Sequence, residues 1–170
     1  SCNSSFANMG MQIDRETFEK AVKELSFNEK LPVSFLYSQS RFSFSEEFTD
    51  AERLQAAIGQ GTTVMTPLHL NMITQAIANG GVMMKPYLID SVISENGTVV
   101  KKISPEEYKR VMTTEESEAL TELMKAVVEE GTAKKVSGLE FTVAGKTGSA
   151  EYGQTKGESH AWFTGFAPAE

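Results

Sequence analysis

The chain has 170 residues and 18.6 kDa, with 40% hydrophobic and 23% charged residues, the proportions of a globular protein rather than a disordered one. Its 16 Lys and Arg stand against 23 Asp and Glu, and the net charge of −7 argues against nucleic acid as a partner. A single cysteine, Cys2, excludes an internal disulfide framework and a thiolate zinc cluster, and no apolar run approaches the ~18 residues that would span a bilayer. No membrane contact is expected of this segment and no export signal is legible in it; a longer parent could supply both.

In chain order, Ser4 to Met9 predicts a short turn of helix stopped by Gly10. Asp14 then caps a helix whose Phe18, Ala21, Val22 and Leu25 form one apolar stripe. From Asn28 to Asp50 periodicity is lost, and serines interleave with Phe35, Tyr37, Phe42, Phe44 and Phe48. So many aromatics predict an ordered loop lying on the core, and part of Phe42 to Phe48 alternates like a strand. Gly59-Gln60-Gly61 marks a tight bend. Thr66-Pro67 opens a second helix, with threonine as cap and proline at the first helical position, running to Asn79-Gly80-Gly81.

Leu88 to Glu95 and Thr98 to Ile103 are β-rich runs joined by Asn96-Gly97, a hairpin signal. Ser104-Pro105-Glu106-Glu107 predicts a short helical turn. Thr113 and Glu116 make a capping box for a long helix ending at Gly131, with Leu120, Leu123, Met124 and Val127 directed inward. Phe141 to Ala150 and His160 to Ala167 are strand candidates, separated by the polar turn Gly153 to Gly157. Helices, a hairpin, a further helix and antiparallel strands together indicate an α+β fold.

Ala144-Gly145-Lys146-Thr147-Gly148-Ser149 invites a phosphate-loop reading, which fails. The pattern needs a glycine where Glu140 stands, and no helix start follows Thr147. On a strand, Lys146 and Gly148 point to one face and Thr147 and Ser149 to the other. A cation, hydroxyls and a glycine permitting close approach suit a carboxylate-bearing ligand added as a β-strand; a solvated lysine beside a turn is the plainer alternative. Ser1-Cys2-Asn3 carries little weight alone. With Lys-Thr-Gly downstream, it completes two of the three motifs of the penicillin-binding and β-lactamase superfamily.

The chain resembles a penicillin-binding protein transpeptidase domain. The likeness runs through Ser1 to Ala7, Ile58-Gly59-Gln60-Gly61, Val64 to Leu68, Ala76 to Gly81, Ala144 to Glu151 and Trp162 to Pro168. The resemblance implies part of a D,D-transpeptidase that cross-links peptidoglycan stem peptides ending in D-alanyl-D-alanine. The reaction passes through an acyl-serine intermediate and is inhibited by β-lactams. It further implies that Ser1 relays a proton to the leaving group, and that Asn3 holds the catalytic lysine and the substrate amide. Lys146 would pair with the Ser1 hydroxyl and the substrate carboxylate. Thr147 and Ser149 hydroxyls would bind that carboxylate, the Ser149 backbone N–H would be one oxyanion-hole donor, and Gly148 would admit the ligand. No cofactor is implied, and the two histidines, His69 and His160, are too far apart in sequence to suggest a metal site.

The family's Ser-x-x-Lys nucleophile motif is not found among the 170 residues; Thr17-x-x-Lys20 and Thr132-x-x-Lys135 do not stand ahead of Ser1. The expectation is therefore the C-terminal portion of one transpeptidase domain, residues 1–170, inactive alone and on the extracytoplasmic face of a bacterial membrane through its parent. Its apolar strand with Phe163 and Phe166 should need cover from the missing N-terminal part of the domain or from a swapped copy. A β-lactam sensor, a pseudo-transpeptidase or a class D-like β-lactamase would share these motifs. An N-terminal-nucleophile hydrolase would explain Ser1 but leave Lys-Thr-Gly and the Gly-Gln-Gly bend unaccounted for.

Overall fold

The computed structural model describes residues 3–152 and 157–170, which leaves Ser1, Cys2 and the expected turn at 153–156 outside the described residues. Among the described residues five α-helices, α1 (Asn3–Gly10), α2 (Arg15–Glu24), α3 (Asp50–Ala57), α4 (Pro67–Ala78) and α5 (Thr114–Glu129), and a short 3-10 turn at Lys134–Val136 accompany six strands. These are β1 (Val82–Met84), β2 (Ser91–Ile93), β3 (Val99–Lys102), β4 (Glu107–Arg110), β5 (Ala144–Glu151) and β6 (Ser159–Phe166). They pair antiparallel as β1–β4, β2–β3 and β5–β6, so the β2–β3 hairpin is nested inside the β1–β4 pair. The fold is α+β, as the sequence indicates.

Local chemistry explains the helix starts. Asp14 accepts the Thr17 N–H at 2.7 Å ahead of α2. Thr66 accepts the His69 N–H at 3.2 Å, with Pro67 in the first helical position of α4. The Thr113–Glu116 capping box opens α5. A second capping box, Thr49 with Glu52, opens α3, a helix that the sequence reading passes over. Its Glu52 also accepts the Ser45 N–H and hydroxyl, which hold its carboxyl far below the ordinary range, at about 2.

Two buried clusters share α4. Leu31, Met72, Ala76 and Met83 form one, with Tyr108 and Val111 packed against it, and Met124, Ala144 and Ala169 form the other, with Ile77 and Phe166. His69 on α4 is fully buried, and its Nε2–H donates to the Leu25 carbonyl at 2.7 Å. The aromatic segment around 42–48 is ordered by Phe18–Phe42, Phe42–Phe44 and Phe44–Phe48 ring contacts.

Several expectations are corrected. Phe42 to Phe48 is no strand; one bridge, Arg41 to Val64, pins this stretch, because its side chains pack on rings instead of a neighbouring ladder. Ser104 to Glu107 is no helical turn. Glu107–Arg110 is β4, paired with β1 through Met83↔Lys109 and Met84↔Glu107, since Tyr108 is drawn onto the α4 cluster. Leu120 and Leu123 are 37% and 65% exposed. Met124 is buried as expected, and helix α5 buries Ser117 and Val128 beside it, with the Ser117 hydroxyl donating to the Ile77 carbonyl at 2.6 Å. No helix among the described residues is long and apolar enough to cross a membrane.

Candidate functional site on the edge of β5

Strands β5 and β6 pair without a register shift, placing Lys146 opposite Thr164, Thr147 opposite Phe163, Gly148 opposite Trp162 and Ser149 opposite Ala161. Lys146 and Gly148 therefore share one face, and Thr147 and Ser149 the other. The Lys146 face is tied to the helices: Thr164 Oγ1 hydrogen-bonds Thr74 Oγ1 of α4 at 2.5 Å, and Ala144 and Phe166 join the Met124 cluster. Glycines permit this close pairing. A Cβ on Gly165 would lie 2.5 Å from the Ala144 carbonyl oxygen, and one on Gly148 would crowd the Trp162 Cβ at 3.3 Å.

The other edge of β5 carries the polar groups of the candidate site. The Ser149 carbonyl accepts from Gln60 Nε2 at 3.1 Å and the Thr147 carbonyl accepts from Lys146 Nζ at 2.5 Å, so neither faces β6. In an antiparallel ladder the N–H and C=O of one residue point the same way, so the Ser149 N–H also faces this edge. An outward N–H, the exposed Lys146 and Ser149 and the half-buried Thr147 line up along one strand. Thr147 Oγ1 bonds Thr132 Oγ1 at 2.5 Å; if Thr132 donates, the Thr147 proton is left to donate to an anion. Open grooves of about 440 and 420 Å³ flank α2, and no β5 residue lines either. The strand edge, not a cavity, is the candidate site.

The structure thus brings Lys146, Thr147, Gly148 and Ser149 together. Asn3 is the first residue of α1, and Ser1 lies outside the described residues. Helix α1 crosses α3 closely, since a Cβ on Gly10 would overlap the Ala57 Cβ. Arg53 of α3 donates to the Met11 and Ile13 carbonyls just past α1. Helix α3 runs into the Gly59-Gln60-Gly61 bend, whose Gln60 reaches Ser149. Two partners of the strand, Gln60 and Thr132, escape the sequence reading. The bend was legible, but the target of its side chain was not. His160, the exposed histidine, stacks on Tyr152 with ring centroids 4.1 Å apart. Phe163 is 51% exposed, as expected of that strand, whereas Phe166 packs inward.

Comparison with known proteins places this geometry. Residues 1–170 match the profile of the penicillin binding protein transpeptidase domain. The whole chain is 31% identical to peptidoglycan D,D-transpeptidase PbpA of Mycolicibacterium smegmatis, spanning 35% of it, and 32% identical to stage V sporulation protein D of Bacillus subtilis, spanning 27% of it. It superposes on the crystal structure of PBPA from Mycobacterium tuberculosis with a TM-score of 0.89 and 27% identity, covering 99% of this chain and 40% of that one. The imipenem acyl-enzyme complex of penicillin-binding protein A from M. tuberculosis gives a TM-score of 0.86 at 28% identity, covering 99% and 38%. The chain spans about a third of the length of these curated relatives, and with a full-length profile match behind the Lys-Thr-Gly strand it belongs to the penicillin-binding protein transpeptidase domain family.

Proposed function

We propose that these residues form one wall of the active site of a serine D,D-transpeptidase, with the nucleophile supplied by a Ser-x-x-Lys segment elsewhere in a longer parent. The observation that carries this reading is the outward edge of β5, where the Ser149 C=O and N–H and the Thr147 C=O turn away from β6, Lys146 Nζ reaches the Thr147 carbonyl, and Thr147 and Ser149 follow along the same strand. A stem peptide ending in D-alanyl-D-alanine would lie along that edge, its terminal carboxylate near Lys146 and the two hydroxyls. The serine would attack the penultimate carbonyl. The Ser149 N–H would stabilise the oxyanion, a contribution of typically ~3 kcal/mol for one donor. Ser1 would pass a proton to the departing D-alanine nitrogen, and Asn3 would orient the lysine base and the substrate amide. An amine from a neighbouring stem peptide would then resolve the acyl-enzyme into a cross-link. β-Lactams would acylate the same serine, and the site would work on the extracytoplasmic side of the membrane. The other part of the domain, or a swapped copy, would cover the exposed Phe163.

Labelled penicillin added to the chain alone should give no covalent product, while a mixture with the upstream part of the domain should label that partner. Labelling of the chain alone would overturn this reading. In the complemented protein, Lys146→Ala removes a charge-assisted contact of about 1.5–3 kcal/mol, so acylation should slow by roughly 10- to 150-fold. Lys134→Ala, on the turn after α5, should leave the rate unchanged, and equal rates for the two variants would remove Lys146 from the site.

A further inference from the structure

We infer that Gln60 is a positioning residue for the oxyanion-binding N–H of Ser149, an inference that rests on the transpeptidase reading above. The Gly59-Gln60-Gly61 bend has no role in that chemistry, yet its side chain makes a contact spanning 89 residues, from Nε2 to the Ser149 carbonyl at 3.1 Å.

The bend is built to aim this carboxamide. Gly59 and Gly61 adopt φ of +75° and +81°, a region that side-chain-bearing residues rarely enter, so the chain reverses on either side of Gln60. The Gln60 N–H donates to the Gln55 carbonyl at 2.8 Å, closing the bend onto the end of α3. The Thr62 hydroxyl donates to the Ser43 carbonyl at 2.5 Å, fixing the far side. Helix α3 is itself locked against α1 at Gly10 and Ala57. Gln60 therefore projects from a supported platform.

The target matters more than the bond. β5 has one ladder neighbour among the described residues, β6, so the N–H and C=O groups on its outer edge have no second strand to hold them. The Ser149 C=O and N–H point to that same edge, so a donor fixing the carbonyl fixes the direction of the N–H as well. An oxyanion donor must meet the developing charge without reorganising, and such preorganisation comes from the groups that hold the donor. A carbonyl has two lone pairs, so Gln60 leaves room for a ligand N–H on the same oxygen.

The test uses the full-length parent protein and penicillin G, separating the acylation rate k2 from the initial binding constant Ks. Gln60→Ala should lower k2 by about tenfold, less than the 10²–10³-fold typical of losing a whole oxyanion donor, with Ks unchanged. Gln60→Glu keeps the shape and loses the donor at neutral pH, so its k2 should fall similarly at pH 7.5. Relative to the wild type at the same pH, it should recover below about pH 4.5, where a protonated carboxyl donates again. Gln60→Ala should not recover. Unchanged k2 in both variants, a loss confined to Ks, or a Gln60→Glu variant that stays as slow as Gln60→Ala at low pH would each overturn the inference. If Gln60→Ala fails to fold, the pH recovery of Gln60→Glu decides alone. A wild-type parent that penicillin G does not acylate would sink the transpeptidase reading and this inference with it; normal acylation beside indifferent Gln60 variants would sink only the inference.

Discussion

Adding one methyl group at Gly165 tests whether the site strand depends on the closeness of β5 to β6. Gly165 sits opposite Gly145 in the ladder, one step from the Lys146↔Thr164 pair. A Cβ there would lie 2.5 Å from the Ala144 carbonyl oxygen and 3.1 Å from the Gly145 Cα, both backbone atoms. An ordinary contact begins near 3.4 Å, so the strands must part by roughly 0.9 Å at the first of these. Overpacking of this kind typically costs about 1–3 kcal/mol. Gly145→Ala is the internal control. Its Cβ would meet Phe163 Cζ at 2.7 Å, but that ring is half exposed and its tip can swing into solvent. Urea unfolding followed by the fluorescence of Trp162, the one tryptophan in these 170 residues, reads this hairpin directly. With m near 2 kcal/mol/M, Gly165→Ala should lower the midpoint by about 0.5–1.5 M and Gly145→Ala by clearly less. A Gly165→Ala midpoint equal to wild type, or a larger loss for Gly145→Ala, would refute the argument.

The adjacent glycines after α4 should separate in the same assay. A Cβ at Gly81 (φ +89°) would meet the Met112 carbonyl oxygen at 2.2 Å, whereas Gly80 (φ +60°) faces open space. Gly80→Ala should therefore cost about 1–2 kcal/mol, from its backbone conformation alone. Gly81→Ala should cost more than about 3 kcal/mol, and equal losses would contradict this. For pH dependence, burial pushes the His69 imidazole below its ordinary value of 6.5. Below that value the unfolded chain takes up a proton that the folded chain refuses, so stability falls as pH drops from about 7 toward 5. His69→Gln keeps a donor for the Leu25 carbonyl but cannot titrate, and its melting temperature should change less over that interval. Identical slopes would show that His69 does not drive the loss.

What could be read from the chain by itself was what neighbouring residues decide. Caps at Asp14, Thr66 and Thr113 set α2, α4 and α5 because the groups that satisfy a helix start lie within three residues of it. The Asn96-Gly97 turn set the β2–β3 hairpin, and alternation along Lys146 to Ser149 set the two faces of the site strand. The Thr49–Glu52 box shows that α3 was equally legible, though the aromatic stretch before it masked the signal. Tertiary structure alone decided the rest. A helix with an apolar residue at nearly every turn carries more than one candidate inward face, and only the positions of α4 and β5 choose Ser117, Met124 and Val128 over Leu120 and Leu123. Glu107 to Arg110 becomes a strand because β1 offers it a ladder and the α4 cluster takes Tyr108. Gln60 and Thr132 reach β5 across 89 and 15 residues. Local hydrogen bonds are written into adjacent residues; contacts of that reach exist only once the chain has closed on itself.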